Sequence, residues 1–164
     1  MKFRQSRTSA LICAGVAAVL YGASGSGASA QLRFPGVYQE GRQASCTDTG
    51  PEPCTVEFST LTKAPLKVLK ASCTILSTEG GSPSKEITGV TLGRVTENGK
   101  NFVAGQYLAP LQTEFAGPGQ IVINVLADTL FVVPRNFRPA IRVSRLNGPP
   151  VSASCTIAGE ELKD

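Results

Sequence analysis

The chain has 164 residues, of which 41% are hydrophobic and 17% charged, and it contains neither histidine nor tryptophan. Without histidine there is no Ser-His-Asp or Cys-His catalytic group, no histidine-ligated zinc or copper and no histidine general base. The formal net charge is +4, but three of the basic residues lie in an amino-terminal segment that we expect to be removed. The remaining chain is almost neutral, which predicts no binding to nucleic acid.

The first 30 residues have the organisation of a secretory signal peptide. Three basic residues in the first seven positions precede an uncharged, mostly apolar run from Ala10 to Tyr21, and a stretch of small residues follows. Ala28 and Ala30 form the A-x-A pattern that predicts cleavage after Ala30. The apolar run of about 12 residues is shorter than the ~20 that a transmembrane helix needs. We therefore expect a secreted or periplasmic protein with no membrane span after cleavage.

Residues 31–54 are predicted to be an extended arm that precedes the folded domain. This segment is rich in Gly, Pro, Ser and Thr and shows little hydrophobic periodicity. Cys46 and Cys54 bracket Gly50, Pro51 and Pro53, which favours a small disulfide loop within the arm.

Residues 55–164 are predicted to form a single domain made of strands. Short runs with β-type composition are separated by turn signals, and no amphipathic helix longer than about two turns is evident. Asn98-Gly99 lies between two of these runs and predicts a type I′ hairpin turn. The expected fold is all-β, a single antiparallel β-sandwich or jelly-roll-like domain of about eight short strands. The candidate strands are Thr55–Thr60, Leu66–Leu76, Ile87–Thr96, Asn101–Leu108, Gly119–Leu126, Thr129–Val133, Ala140–Leu146 and Val151–Ile157.

Removal of the signal peptide discards Cys13 and leaves four cysteines, an even number that predicts two disulfides in an oxidising compartment. The pentapeptide ASCTI occurs twice, around Cys73 and around Cys155. In both copies apolar and polar residues alternate, so each cysteine is expected to point inward from a half-buried strand. We predict the pairs Cys73–Cys155 and Cys46–Cys54, although spacing alone leaves the other two pairings open. One strand sequence fitting two similar environments is favoured over a duplication or a shared ligand.

Few residues carry an obvious chemistry, and no catalytic residue, cofactor or metal site is predicted. Asp48-Thr49-Gly50 matches the short motif of aspartic proteases, but a loop of turn-forming residues is the favoured interpretation. The glutamates are dispersed and are expected on the surface, so an enzyme that uses carboxylates alone is the less favoured alternative.

The arginines near the carboxyl end form the one local excess of charge. Arg135, Arg138, Arg142 and Arg145 have no acidic residue among them. Such a group is suited to a phosphate, an acidic glycan or a lipopolysaccharide, because guanidinium groups match these anions bidentately. Strand alternation sends Arg142 and Arg145 to opposite faces, so only Arg135, Arg138 and one other residue are able to converge. Scattered solubilising arginines are the favoured interpretation.

Parts of the chain between about residues 63 and 161 resemble a loose set of small secreted bacterial β proteins of uncharacterised function. The resemblance lies in the strand Pro65–Cys73, in Arg142–Arg145 and in the closing motif CTI-x-G at Cys155–Gly159. It implies a β-sandwich with paired terminal strands and implies no catalytic residues.

The sequence thus predicts an exported, non-enzymatic β-sandwich that serves as a binding or envelope-structural module. One alternative is a lectin-like module that binds an anion or an acidic glycan, or another envelope component, through Arg135, Arg138 and Arg142. Another is a fimbrial or adhesin-type subunit, because an edge strand is able to accept a strand from a neighbour.

Overall fold

The computed structural model describes residues 30–34, 36–47, 52–77, 87–96, 98–99, 101–117, 120–145 and 150–163. The signal peptide predicted for residues 1–30 lies outside these ranges except for Ala30, and so do Asp48-Thr49-Gly50 and the turn at 146–149. The described strands are β1 (Ala30–Phe34), β2 (Val37–Cys46), β3 (Cys54–Glu57), β4 (Leu66–Ser77), β5 (Ile87–Thr96), β6 (Phe102–Tyr107), β7 (Pro110–Gly117), β8 (Gln120–Val133), β9 (Phe137–Arg145) and β10 (Val151–Glu161).

The strands form two antiparallel sheets that enclose one hydrophobic core. The six-stranded sheet has the order β1-β2-β10-β4-β8-β7, and the four-stranded sheet has the order β3-β9-β5-β6. All the strand pairs are antiparallel. The expected all-β sandwich is therefore confirmed. Among the described residues there is no helix long and apolar enough to cross a membrane.

Alternating apolar residues explain why these segments form half-buried strands. Along β10, every second side chain from Val151 to Gly159 is buried, and β4 shows the same alternation on either side of Leu69-Lys70, where its register with β8 shifts. This period of two places one row of side chains in the core and the other in solvent. The fully buried core residues include Leu66, Val68, Ile75, Val90, Leu92, Ile141, Val143, Ala153 and Ile157.

The extended arm expected for residues 31–54 needs correction, because most of it belongs to the six-stranded sheet. β2 lies between β1 and β10 and pairs with β10 from Val151↔Cys46 to Gly159↔Tyr38. The inward row of β2 carries Tyr38, Glu40 and Arg42 instead of aliphatic side chains, which is why the strand periodicity was not visible in the sequence.

Three further differences concern β7, β8 and the hairpin at Asn98-Gly99. The two strands expected at Gly119–Leu126 and Thr129–Val133 are one strand, β8, and β7 was not expected. β8 lies between β4 and β7 and is therefore an interior strand of its sheet. Gly99 has a φ of 70°, but Asn98 is not among the described residues with positive φ, so the turn is not of type I′. Instead, the N–H of Gly99 donates to the carbonyl of Thr96 at 2.8 Å.

Both expected disulfides are present, and they tie the fold in different ways. Cys73–Cys155 joins the neighbouring strands β4 and β10 within the six-stranded sheet. Cys46–Cys54 joins the end of β2 to the start of β3 and so connects the two sheets. Near the second disulfide, the buried Arg145 donates from Nε and Nη2 to the carbonyl of Glu52 at 3.0 and 2.7 Å. Glu52, just before β3, is therefore held at this end of the sandwich.

Candidate functional site

The two copies of ASCTI lie side by side in antiparallel register on β4 and β10. Cys73 is directly opposite Cys155, and on the same inner face Ala71 is opposite Ile157. Because the sequences are identical and run in opposite directions, they are related by a local two-fold axis through the disulfide. The repeat thus places two equal strands in equivalent positions around one covalent link.

The same symmetry arranges four hydroxyl groups on the outer face of the six-stranded sheet. Ser72 is opposite Thr156, and Thr74 is opposite Ser154. Thr74 and Ser154 are exposed, whereas Ser72 and Thr156 are half-buried. We call these four residues the hydroxyl square. Each hydroxyl is able to donate one hydrogen bond and to accept others.

The hydroxyl square lies within a larger area without charged residues, which we call the hydroxyl face. It consists of three cross-strand rows on β2, β10, β4 and β8. The rows are Gly41, Thr156, Ser72 and Leu126; Gln43, Ser154, Thr74 and Asn124; and Ser45, Ser152, Leu76 and Val122. On these four strands, charged residues begin in the next row, where Lys70 Nζ lies 3.8 Å from Asp128 Oδ1. On the adjoining strand β7, Glu114 pairs with Val122 at the end of the third row.

Hydrogen bonds between neighbouring strands hold side chains of the hydroxyl face in place. Thr74 Oγ1 donates to Asn124 Oδ1 at 3.1 Å. Gln43 Nε2 donates to Ser152 Oγ at 3.3 Å. These side chains keep further hydrogen-bonding capacity, because a hydroxyl oxygen has two lone pairs and an amide has both donors and acceptors.

A shallow depression of about 290 Å³ adjoins the hydroxyl square and is lined by Ala30, Gln31, Leu32, Gln39, Gly41 and Thr156. Gly41, which has no side chain, is one of its lining residues. A Cβ added at Gly41 would be in ordinary contact with Thr156 Oγ1, at 3.4 Å. Thr156 belongs both to the depression and to the hydroxyl square, so the two features are continuous.

A second surface depression, of about 460 Å³, lies where β4 and β8 depart from regular pairing between Val68 and Lys70. It is lined by Leu69, Lys70, Gln106, Asp128, Thr129 and Leu130. Gln106 of β6 uses its amide on the backbone of β8: Nε2 donates to the Asp128 carbonyl at 3.4 Å, and Oε1 accepts from the Leu130 N–H at 3.3 Å. The polar groups around this depression therefore already contact each other.

A buried carboxylate forms the densest polar cluster of the described chain. Glu40 is 0% exposed and accepts hydrogen bonds from the hydroxyl of Tyr38 and from Arg42 Nε at 2.6 Å. It also accepts from the backbone N–H and the hydroxyl of Ser59, at 3.0 and 2.9 Å. Arg42 Nη2 in turn donates to Ser59 Oγ at 2.9 Å. The cluster thus joins β2 to the segment that follows β3.

The cluster keeps Glu40 ionised. Burial by itself raises the pKa of Glu40, but the hydrogen bonds from Tyr38, Ser59 and Arg42 outweigh it and hold that pKa below the ordinary value of 4.5. Since Glu40 is enclosed and its oxygens are occupied, the cluster is suited to holding the strands together.

The arginines proposed as an anion site are engaged in separate intramolecular contacts. Arg138 Nη1 is 3.0 Å from Glu57 Oε2, and its Nε donates to Thr60 Oγ1 at 3.0 Å. Arg135 is exposed in the turn between β8 and β9. The guanidinium charge of Arg138 therefore already faces a carboxylate.

Arg142 is stacked on an aromatic ring. Its guanidinium carbon lies 3.9 Å from the centroid of Phe102. Burial lowers the pKa of Arg142 below its usual range, and the charge of Glu52 partly counteracts this. Arg145 lies on the opposite face of β9, bound to the carbonyl of Glu52, as strand alternation predicts.

An exposed apolar patch lies on the β1–β2 hairpin at the edge of the six-stranded sheet. Leu32, Phe34 and Val37 are 51%, 59% and 50% exposed. Leu32 is near the depression over Gly41, which it lines. The outer surface of this sheet is therefore apolar at one corner and uncharged but polar at its centre.

The fold and these surfaces define a disulfide-bonded, all-β sandwich. Within the described ranges, no three His, Cys, Asp or Glu side chains are grouped as metal ligands would be. Comparison with protein-family models, curated proteins and solved structures finds no match to this chain.

Part of the hydroxyl face was predictable from the sequence. The repeated pentapeptide and its alternation predicted inward cysteines, and the same alternation sends the Ser and Thr residues outward. The register that places the two copies opposite each other was not predictable from either copy alone. The Glu40 cluster was missed because its partner Ser59 is 19 residues away.

Proposed function

We propose that this protein is an exported, non-enzymatic binding module that attaches to a component of the cell envelope or exterior through the hydroxyl face. The observation that carries the proposal is the symmetric hydroxyl square, which occupies two of the three rows that have no charged residue on β2, β10, β4 and β8. A flat sheet surface of fixed hydroxyl and amide groups is suited to contact and holds no arranged acid, base or nucleophile.

Export is supported by the two disulfides, which are typical of proteins in oxidising compartments. It is also supported by the basic, apolar and small-residue order of the first 30 residues. Both features support a secreted or periplasmic location.

The described acidic side chains favour a non-catalytic role. Glu40 is enclosed by hydrogen bonds, and Glu57 is paired with Arg138. Arg138 and Arg142 are likewise engaged within the protein, so the geometry supports an uncharged contact surface better than an acidic-glycan site at these arginines.

The test is to follow the exported protein through fractionation of cell envelope and culture medium. Thr74→Lys places a charge at the centre of the hydroxyl face and is expected to release the protein from the fraction that holds the wild type. Thr88→Lys makes the same change at an exposed position of β5 and should leave the distribution unchanged. Equal behaviour of the two variants would contradict the proposal.

A second measurement addresses catalysis. The purified protein is expected to show no turnover on a broad panel of hydrolase substrates. Turnover that is abolished by a single Asp or Glu substitution would overturn the non-enzymatic part of the proposal.

A further inference from the structure

We infer that the ligand of the hydroxyl face is a neutral polysaccharide, with one sugar ring in the depression over Gly41 and adjoining rings along the hydroxyl square. This inference rests on the proposed function, because it names the ligand of the same surface. It also assigns a distinct binding position, which the proposed function does not require.

The electrostatic character of the surface favours a ligand without charge. The chain has 28 Lys, Arg, Asp and Glu residues, yet none lies in the three rows of the hydroxyl face on β2, β10, β4 and β8. A charged side chain in contact with a neutral ligand loses its hydration without gaining an ionic partner, which costs free energy. An uncharged surface avoids this cost when it binds a neutral ligand. It provides no electrostatic attraction for an anionic polymer.

The polar groups of the surface match those of a sugar. Sugar hydroxyls act both as donors and as acceptors, and so do Ser72, Thr74, Ser154 and Thr156. The hydrogen bonds Thr74–Asn124 and Gln43–Ser152 fix part of this array before a ligand arrives. Pre-arranged groups lose less conformational entropy on binding.

The depression supplies what the flat face lacks, a concave position for one ring. With Ala30 in place its volume is about 290 Å³, just below the range of ligand pockets, about 300–1,000 Å³. Cleavage after Ala30 would remove that residue from the lining and leave Gln31, Leu32, Gln39, Gly41 and Thr156 in the exported protein. Leu32 provides an apolar wall for the CH groups of the ring, while Gln39 and Thr156 provide polar atoms. Since Thr156 is shared, a chain that leaves the depression passes directly onto the hydroxyl square.

Neighbouring strands repeat at about 4.8 Å, so successive hydroxyl and amide groups along a row are spaced on the scale of a single sugar ring. The row Gln43, Ser154, Thr74 and Asn124 crosses four strands with polar residues only. An extended polymer is therefore able to contact several groups in succession. Exposed Leu126 adds an apolar contact at the side of this row.

Gly41 gives a test that separates binding from folding. The backbone at Gly41 does not have a positive φ, and an added Cβ meets only ordinary contacts, so a side chain is able to start there without strain in the strand. Gly41→Leu is expected to fill the depression and to weaken retention on insoluble polysaccharide while the thermal unfolding temperature stays the same or rises. Thr88→Lys is the matched surface control.

The probes are chitin and cellulose as neutral polymers and alginate as an acidic one, each used in pull-down with the exported protein. We expect retention on at least one neutral polymer, insensitive to salt, and none on alginate. Gly41→Leu should lower that retention by at least about tenfold, which corresponds to about 1.4 kcal/mol.

Three outcomes would overturn the inference. They are retention of the wild type on alginate alone, no retention on either neutral polymer, or full retention of Gly41→Leu. If the protein still fractionates with the envelope and Thr74→Lys still releases it, the proposed function remains and only the ligand class is wrong. If Thr74→Lys releases nothing, the proposed function itself fails.

Discussion

Cys73 lies directly opposite Cys155 on the neighbouring strand, with four identical residues accompanying each of them. This one disulfide therefore affects both faces of the six-stranded sheet. On the inner face it belongs to the hydrophobic core, and on the outer face it fixes the register of the hydroxyl square. Loss of this link should affect both the stability and the contact surface of the protein.

Replacing both Cys73 and Cys155 by Ala is expected to lower the free energy of unfolding by about 4.5 kcal/mol. The reason is that the disulfide closes a loop with a sequence separation of 82, and long loops lose the most entropy in the unfolded chain. The matched pair Cys46→Ala with Cys54→Ala removes a loop with a separation of 8 and should cost about 2.5 kcal/mol. Urea unfolding of the oxidised proteins measures both. Equal losses, or a larger loss for the short loop, would contradict the expectation.

Glu40→Gln is expected to destabilise the protein by about 3 kcal/mol at neutral pH, because hydrogen bonds to a charged group contribute about 1.5–3 kcal/mol each. The pKa of Glu40 in the folded protein lies below its ordinary value of 4.5. Its stabilising effect is therefore present above that value and is lost as the pH falls through the folded pKa.

The difference in the free energy of unfolding between wild type and Glu40→Gln should consequently become smaller in acid. Urea midpoints measured at neutral and at acidic pH test this. Tyr38→Phe is the milder control, because it removes one of the hydrogen bonds and leaves the charge in place. A difference that is independent of pH would show that the charge of Glu40 does not stabilise the fold.

Gly159→Ala is expected to destabilise the sheet by about 1–3 kcal/mol, the usual cost of overpacking. A Cβ at Gly159 would lie 2.1 Å from the carbonyl oxygen of Lys67, at the point where the register between β10 and β4 shifts. Gly41→Ala, with its nearest contact at 3.4 Å, should be nearly neutral. Thermal unfolding of the two variants compares them directly, and equal effects would argue against the close backbone approach.

Arg135→Ala combined with Arg138→Ala tests the acidic-glycan alternative. Because Arg138 is already paired with Glu57, we expect no change in retention on alginate or lipopolysaccharide surfaces. The stability loss should be about 1 kcal/mol or less, since the pair is partly exposed. Salt-sensitive retention of the wild type that disappears in the double variant would instead support an anion site.

Gln106→Ala tests the fibre-subunit alternative. Removal of the amide leaves the Asp128 carbonyl and the Leu130 N–H without that partner, beside the 76% exposed Leu130. An unpaired strand edge promotes association with another chain. We expect a wild type that stays monomeric and a variant that self-associates as its concentration rises, measured by size-exclusion chromatography with light scattering. A wild type that forms open-ended polymers would favour the fimbrial interpretation.

The sequence predicted those parts of the fold in which one face is aliphatic. β5 was expected at Ile87–Thr96 and is found there, and β4 differs from its expected range by one residue. β2 was not recognised because its inward row includes Glu40 and Arg42, which bond to each other and to Ser59 in the segment that follows β3. The prediction of two separate strands in place of β8 was wrong for a different reason. The inward-facing row of odd-numbered residues continues through Thr129, so the strand is not interrupted there.

The candidate surface was less predictable than the fold. The alternation of side chains along a strand predicted that Arg142 and Arg145 lie on opposite faces of β9, and the structure confirms this. Nothing near Arg138 in the sequence indicated Glu57, 81 residues away, or showed that Phe102 stacks on Arg142. Pair contacts of this kind depend on strand order, which a single sequence does not specify.

β10 is the last of the described strands but lies in the middle of the six-stranded sheet, between β2 and β4. When the polypeptide emerges amino end first, β1-β2 and β4-β8-β7 precede β10. These two parts of the sheet are therefore not joined until β10 has emerged. During this interval Cys73 has no native partner, while Cys46 and Cys54 are already available to it. Correct pairing of the four cysteines therefore requires Cys155, the last of them to emerge, to reach Cys73.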